Sequence, residues 1–204
     1  MLQGRQEADV LKSICNLIGH EAASFEVKSR REFSTICKYI ASIDSDHDSR
    51  GSRDIPLCLH ISAHGNDREL GFGLDDITWN ELFNLIRPIC AEMQHYKGDI
   101  YLVISACEAS LQTLTKDISI EFCKNKKFNP PSWLFVTADK KPSWREAAVS
   151  WTIFYHLLPK TNLDNKHEVQ VMLDKIKEIG AANIMYWRWD KRLKRYRKFS
   201  PAST

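Results

Sequence analysis

The sequence has no long apolar run. None approaches the roughly 18 residues that a membrane-spanning helix needs, and residues 1–9 (MLQGRQEAD) lack the apolar segment of a secretion signal. A soluble, cytoplasmic chain without a membrane partner is therefore expected. The six cysteines include no Cys-x-x-Cys pair, which removes the usual frameworks for structural zinc and for thioredoxin-type chemistry. No internal repeat, low-complexity linker or domain boundary is visible, so residues 1–204 are expected to form one domain. A marked charge is missing too: 29 Lys+Arg against 26 Asp+Glu leaves +3.

That small excess is uneven. Residues 188–198 (RWDKRLKRYRK) hold seven basic residues and one acidic one, a local +6, so the remainder carries −3. A mildly acidic body with a basic end is not the profile of a general nucleic-acid binder. What is present is ordinary globular material, 43% hydrophobic and 27% charged, long enough to bury a sizeable core.

Apolar spacing predicts helices near 10–18 and 33–40, with a weak strand at 23–27 (ASFEV) between them. Residues 44–54 (DSDHDSRGSRD) read as a polar loop. Its acids at 44, 46 and 48 resemble a calcium loop, but Ser49 stands where glycine is needed and Ile55 where glutamate is needed. Residues 55–63 (IPLCLHISA) predict a strand buried on both faces, followed by His64-Gly65 and a turn-rich stretch at 66–76. Thr78 and Glu81 have capping-box spacing ahead of a long amphipathic helix ending near 93. Residues 100–106 (IYLVISA) predict a second buried strand that ends at Cys107. Positions 111, 114, 118 and 122 suggest a helix after it, and 133–138 (WLFVTA) a third strand. Helices follow at 144–158 and 164–180. Residues 183–189 and 194–199 read as a basic terminal hairpin spanning 183–199, aromatic on the face that packs and basic on the face in water. Strands alternating with helices imply an α/β fold: a mostly parallel central sheet with helices on both faces.

In such sheets, ligands bind at the carboxyl ends of the strands. His64 and Cys107 each lie just past the end of a strand, and one helix-bearing crossover joins those strands. The two side chains are therefore expected to face each other across that edge. A thiolate is a nucleophile, and an imidazole can move its proton and protonate a leaving amine. Cys107 is expected at a helix N-terminus, where the dipole favours the thiolate. The N–H groups of Gly65 and Cys107 could form an oxyanion hole. Cys15, Cys37 and Cys90, on apolar helix faces, read instead as buried core thiols. A metal shared by His60 and His64 is disfavoured, since four residues along a strand span roughly 13 Å.

The segments LHISAHGN (59–66) and YLVISACEAS (101–110) resemble the caspase-like cysteine peptidases, a superfamily that includes caspases, metacaspases, legumain, separase and CHAT-type peptidases. The likeness covers about residues 20–160, and the 43 residues between His64 and Cys107 compare with about 50 in caspases. The resemblance implies a caspase-like fold, and peptide-bond hydrolysis through a thioester with a Cys107–His64 dyad and no metal or organic cofactor. It also implies a protein or peptide substrate. The chain departs from the family patterns at Ser105, where caspases have Gln and metacaspases commonly Asp. Glu108 after the cysteine looks more like legumain. Residues 142–145 (PSWR) resemble the Ser-Trp-Arg of the caspase substrate groove, which nominates Trp144 and Arg145, although Ser143 reads equally as a helix N-cap. Asp139 is an alternative pocket residue, so acidic and basic preferences both stay open. No long processing loop follows Cys107, so activity is not expected to require cleavage into two subunits. The compact form resembles bacterial caspase-like effectors, including those of antiphage defence, and a regulatory or sensor partner is expected. The competing readings are a non-proteolytic interaction module, and a basic hairpin that docks nucleic acid or an acidic partner. Nucleic acid is the less favoured of these.

Overall fold

The structure, a computed structural model, describes residues 2–43, 55–93, 96–109, 111–125, 127–137, 143–179 and 182–199. The polar loop at 44–54 and Asp139 lie outside the described residues. Two helices come first, α1 (Leu2–Leu17) and α2 (Arg30–Ile43). The weak strand expected at 23–27 is absent, and those residues form an irregular connection between α1 and α2. Phe25 is 49% exposed there, and Val27 alone of the five packs on the core, so the alternation of a half-buried strand is not met.

The strand β1 (Leu57–Ser62) runs into β2 (His64–Gly65), β3 (Glu69–Phe72) and β4 (Asp75–Thr78). The stretch read as turn-rich is thus a small antiparallel sheet, ordered β2-β3-β4. Its Phe72 stacks on Phe33 of α2, ring centroids 4.8 Å apart. Next is α3 (Trp79–Glu92), whose capping box forms as expected: Glu81 N–H donates to Thr78 Oγ1 (3.3 Å) and Thr78 N–H to Glu81 Oε2 (2.9 Å). The remaining elements are β5 (Ile100–Ser105), α4 (Gln112–Lys124), β6 (Trp133–Thr137), α5 (Trp144–Leu157), α6 (Lys166–Glu178), β7 (Ile184–Asp190) and β8 (Arg195–Phe199). No helix among the described residues is long and apolar enough to cross a membrane.

The main sheet has the order β1-β5-β6-β7-β8 and is mixed. The pairs β1–β5 and β5–β6 are parallel, whereas β6–β7 and β7–β8 are antiparallel. The sheet is therefore not mostly parallel, because the terminal hairpin joins it edge to edge instead of lying on the body. This also corrects the expectation for β1. Among the described residues it is an outer strand with one neighbour, and only Ile61 in it is fully buried. The inner strands β5 and β6 are buried along their whole lengths, as their unbroken apolar runs predict.

Alternation splits the core in two. Leu102, Ile104, Leu134 and Val136 face α2, α3 and α4 on one side. Tyr101, Val103, Trp133 and Phe135 face α1, α5 and α6 on the other. Each large side chain buried this way stabilises by roughly 1.5–3 kcal/mol. The hairpin contributes its rings to the same layers: Trp187 and Trp189 are 6% and 7% exposed.

Candidate active site

The parallel register of β1 and β5 sets the site. Ser62 pairs with Ser105, and Ala63 N–H extends the ladder to the Ser105 carbonyl at 3.1 Å. His64 and Cys107 each come two residues after that last matched pair. Both therefore lie just past the strand ends at the same edge of the sheet. The segments then touch: a Cβ on Gly65 would lie 3.0 Å from Ala106 Cβ and 3.4 Å from the Cys107 carbonyl oxygen. Gly65 is required by this close approach.

The small sheet holds the histidine end. His64 pairs with Gly71 and Gly65 with Leu70. Asn66 N–H donates to the Glu69 carbonyl at 3.0 Å, so by antiparallel alternation Gly65 occupies a non-hydrogen-bonded position, with its N–H directed away from β3. That N–H is thus turned toward the end of β5. His64 is exposed, and its ring meets the edge of Trp144, centroids 5.3 Å apart at 80°. Trp144 stands there because Ser143 caps α5: Glu146 N–H donates to Ser143 Oγ (3.2 Å) and Ser143 N–H to Glu146 Oε2 (2.8 Å). The cap and the placement of Trp144 beside the histidine are therefore one feature. Arg145, next along, points into water.

At the other end, Cys107 is half-buried in a turn, not at a helix start. The helix α4 begins at Gln112, with Leu111 as its N-cap. The expected help from a helix dipole is therefore lost, since that effect fades within one turn. The connection needs those residues because Ala109 and Leu111 return to the core at 8% and 1% exposure. Glu108, directly after the thiol, adopts φ +50, a left-handed backbone that a non-glycine residue takes only under constraint. Its side chain is exposed.

Two residues not singled out from the sequence hold the strand ends. Thr137, buried at the end of β6, donates its hydroxyl to the Ala106 carbonyl (2.7 Å) and accepts from Ala106 N–H (3.3 Å). Glu7, on α1 and 2% exposed, accepts from Ser62 Oγ (2.7 Å) and from Ser105 Oγ (3.0 Å). Ser105 is itself 3% exposed, so its hydroxyl serves Glu7 and is not presented to a ligand. Burial raises the Glu7 carboxyl above its ordinary range, against the two serine bonds that lower it. His60 lies beside it, Nε2 3.9 Å from Glu7 Oε1, and burial lowers this imidazole to about 3. The Tyr155 phenol, held protonated by burial, lies 2.8 Å from His60 Nδ1 and 3.4 Å from Cys58 Sγ, in hydrogen-bond contact with both. Nε2 faces Glu7 at a distance too long for a hydrogen bond and has no hydrogen-bond partner among the described residues. His60 thus belongs to this buried cluster, and His64 to the surface.

Cys15, Cys37 and Cys90 are buried, as expected, and desolvation pushes the Cys37 and Cys90 thiols up to about 12. Such thiols are poor nucleophiles. Among the described residues no group of three or more His, Cys, Asp or Glu is placed to hold a metal ion. What the strand ends bring together is an accessible imidazole, a half-buried thiol and a backbone N–H, the parts of a thiol acyl-transfer site. No family model matches the chain, and no curated protein matches it.

Proposed function

We propose that the protein is a cysteine endopeptidase with a caspase-like fold. The observation that carries this reading is the β1–β5 register, which delivers His64 and Cys107 to the same edge with Gly65 seated against Ala106 and the Cys107 carbonyl.

His64 takes the Cys107 thiol proton, and the sulfur attacks the carbonyl carbon of the scissile peptide bond. The carbonyl π electrons move to oxygen, and that oxyanion accepts from the N–H groups of Gly65 and Cys107. The tetrahedral adduct collapses as His64 protonates the leaving amine, and the C–N bond breaks to leave a thioester. Water then attacks the thioester carbonyl while His64 takes its proton. The C–S bond breaks, the carboxylate departs and the thiol is restored. Trp144 orients the imidazole between these transfers by its edge contact. Every step uses a group of this chain, and the substrate is a protein or peptide segment.

The test compares wild type with Cys107→Ala, using a peptide library and a peptide acyloxymethyl ketone probe. Wild type is expected to cleave and to be labelled once, at Cys107, while the variant does neither. Equal cleavage or labelling by both would refute the assignment.

A further inference from the structure

An open groove of about 560 Å³ runs between α4 and the terminal hairpin. The helix turns Ile120 and Cys123 into it, and Ile120 is 42% exposed although Leu114 and Ile118 on the same helix are fully buried. Four cations line the walls: Lys116 and Lys124 from α4, Lys194 and Arg195 from the hairpin. None of the four has an ion-pair or hydrogen-bond partner among the described side chains. The acids of α4 are used elsewhere: Asp117 accepts from Asn80, and Glu121 pairs with Arg87 at 2.7 Å, both on α3. Charge is thereby sorted by face, acids toward α3 and lysines toward the groove.

Edge protection and helix-end charge each account for only part of this pattern. Basic residues on an outer strand such as β8 discourage edge-to-edge aggregation, but Lys116 and Lys124 lie on a helix. Lys124 complements the helix C-terminus, but Lys116 is in the second turn. Lys194 is also held at φ +53, a backbone that glycine adopts readily, so a cation stands at the groove mouth against local preference.

We propose that this groove docks an acidic segment of a partner protein, with an apolar side chain on Ile120 and carboxylates on the four cations. The outer backbone edge of β8 has no neighbouring strand among the described residues and can accept an extended chain. Single-stranded nucleic acid fits less well, because it needs exposed rings on which to stack. Of the hairpin rings Tyr196 lines the groove, and it and its neighbours are held by internal contacts. Trp189 packs edge-on against Phe122 and Tyr196, the Tyr196 hydroxyl donates to the Pro131 carbonyl, and Phe199 stacks on Tyr186. This docking is independent of the peptidase reading.

The probe is a fluorescein-labelled peptide of Glu and Asp around one central Leu, followed by anisotropy at low and high salt. Wild type is expected to bind it, more weakly as salt rises. The charge-reversed Lys116→Glu/Lys124→Glu and Lys194→Glu/Arg195→Glu proteins should each lose about tenfold or more. Bound peptide should slow maleimide labelling of the exposed Cys123, read by peptide mass mapping. Unchanged melting temperatures in both double variants establish that they fold. No binding at low salt, equal binding by the variants, or tighter binding of oligothymidylate than of the peptide would each overturn the proposal.

Discussion

Gly65 is the position in the candidate site where one added carbon tests the assignment. A Cβ there would lie 2.9 Å from Leu70 Cδ2 and 3.0 Å from Ala106 Cβ, forcing β2 away from the end of β5. Gly65→Ala is expected to cost about 1–3 kcal/mol by overpacking and to lower kcat more than it raises KM, read by steady-state cleavage beside thermal melts. An unchanged kcat would remove Gly65 from the site. Glu7 gives a pH test. Its carboxyl holds a proton more tightly folded than unfolded, so its contribution to stability is full below about 4.5. That contribution falls as pH rises through the higher folded value. His60 acts in the other direction: the unfolded chain protonates near 6.5 and the folded one near 3, so stability drains as pH falls below 6.5. In Glu7→Gln, melting temperature against pH should lose the decline above 4.5 that wild type shows. Parallel curves for the two proteins would contradict the buried carboxyl. His64, Gly65 and Cys107 were legible because each follows a recognisable strand. Glu7 carried a weaker signal, an acid in the Glu7, Leu11, Cys15 stripe at helical spacing, where a buried acid needs a partner. Thr137 carried none, since its bonds to Ala106 cross 31 residues of chain.

At the scale of elements, capping chemistry was the most readable part. Both capping boxes form because their hydrogen bonds are local, three residues apart in Thr78/Glu81 and Ser143/Glu146. Ser143→Ala therefore separates two roles of one residue. Loss of the cap is expected to cost about 0.5–2 kcal/mol, and the frayed first turn should release Trp144 from His64, lowering kcat as well. Thr78→Ala is the control, with a similar loss of stability and no loss of kcat; equal kcat losses in both would disconnect Trp144 from the histidine. The small sheet was missed for a physical reason. Its strands have two to four residues, too few for alternation to show, and Gly71 and Gly73 among them read as turn residues. The helix after Cys107 was placed too early because its apolar period fixes a face, while the core return of Ala109 and Leu111 fixes its start.

At the scale of the whole molecule, the sequence established that strands and helices alternate, but not which edge the hairpin would take. Antiparallel pairing of β7 with β6 depends on contacts about 50 residues apart, and local pattern does not encode them. The charge division keeps its meaning: a −3 body and a +6 end that adds two strands to the body's own sheet. The register of β1 against β5 has one more consequence. Strand pairing moves in whole residues, and a slip of one would carry the end of β1, with His64 beyond it, out of step with the end of β5 that leads to Cys107. The site is therefore either assembled or absent, with no graded intermediate. Damage to the core should act as a headcount. Phe135→Ala, in the core among Trp133, Phe154 and Tyr186, is expected to cost about 3–5 kcal/mol. Active-site titration should then find fewer competent molecules, each turning over at the wild-type rate; a uniform population of slower ones would mean the register can yield by degrees.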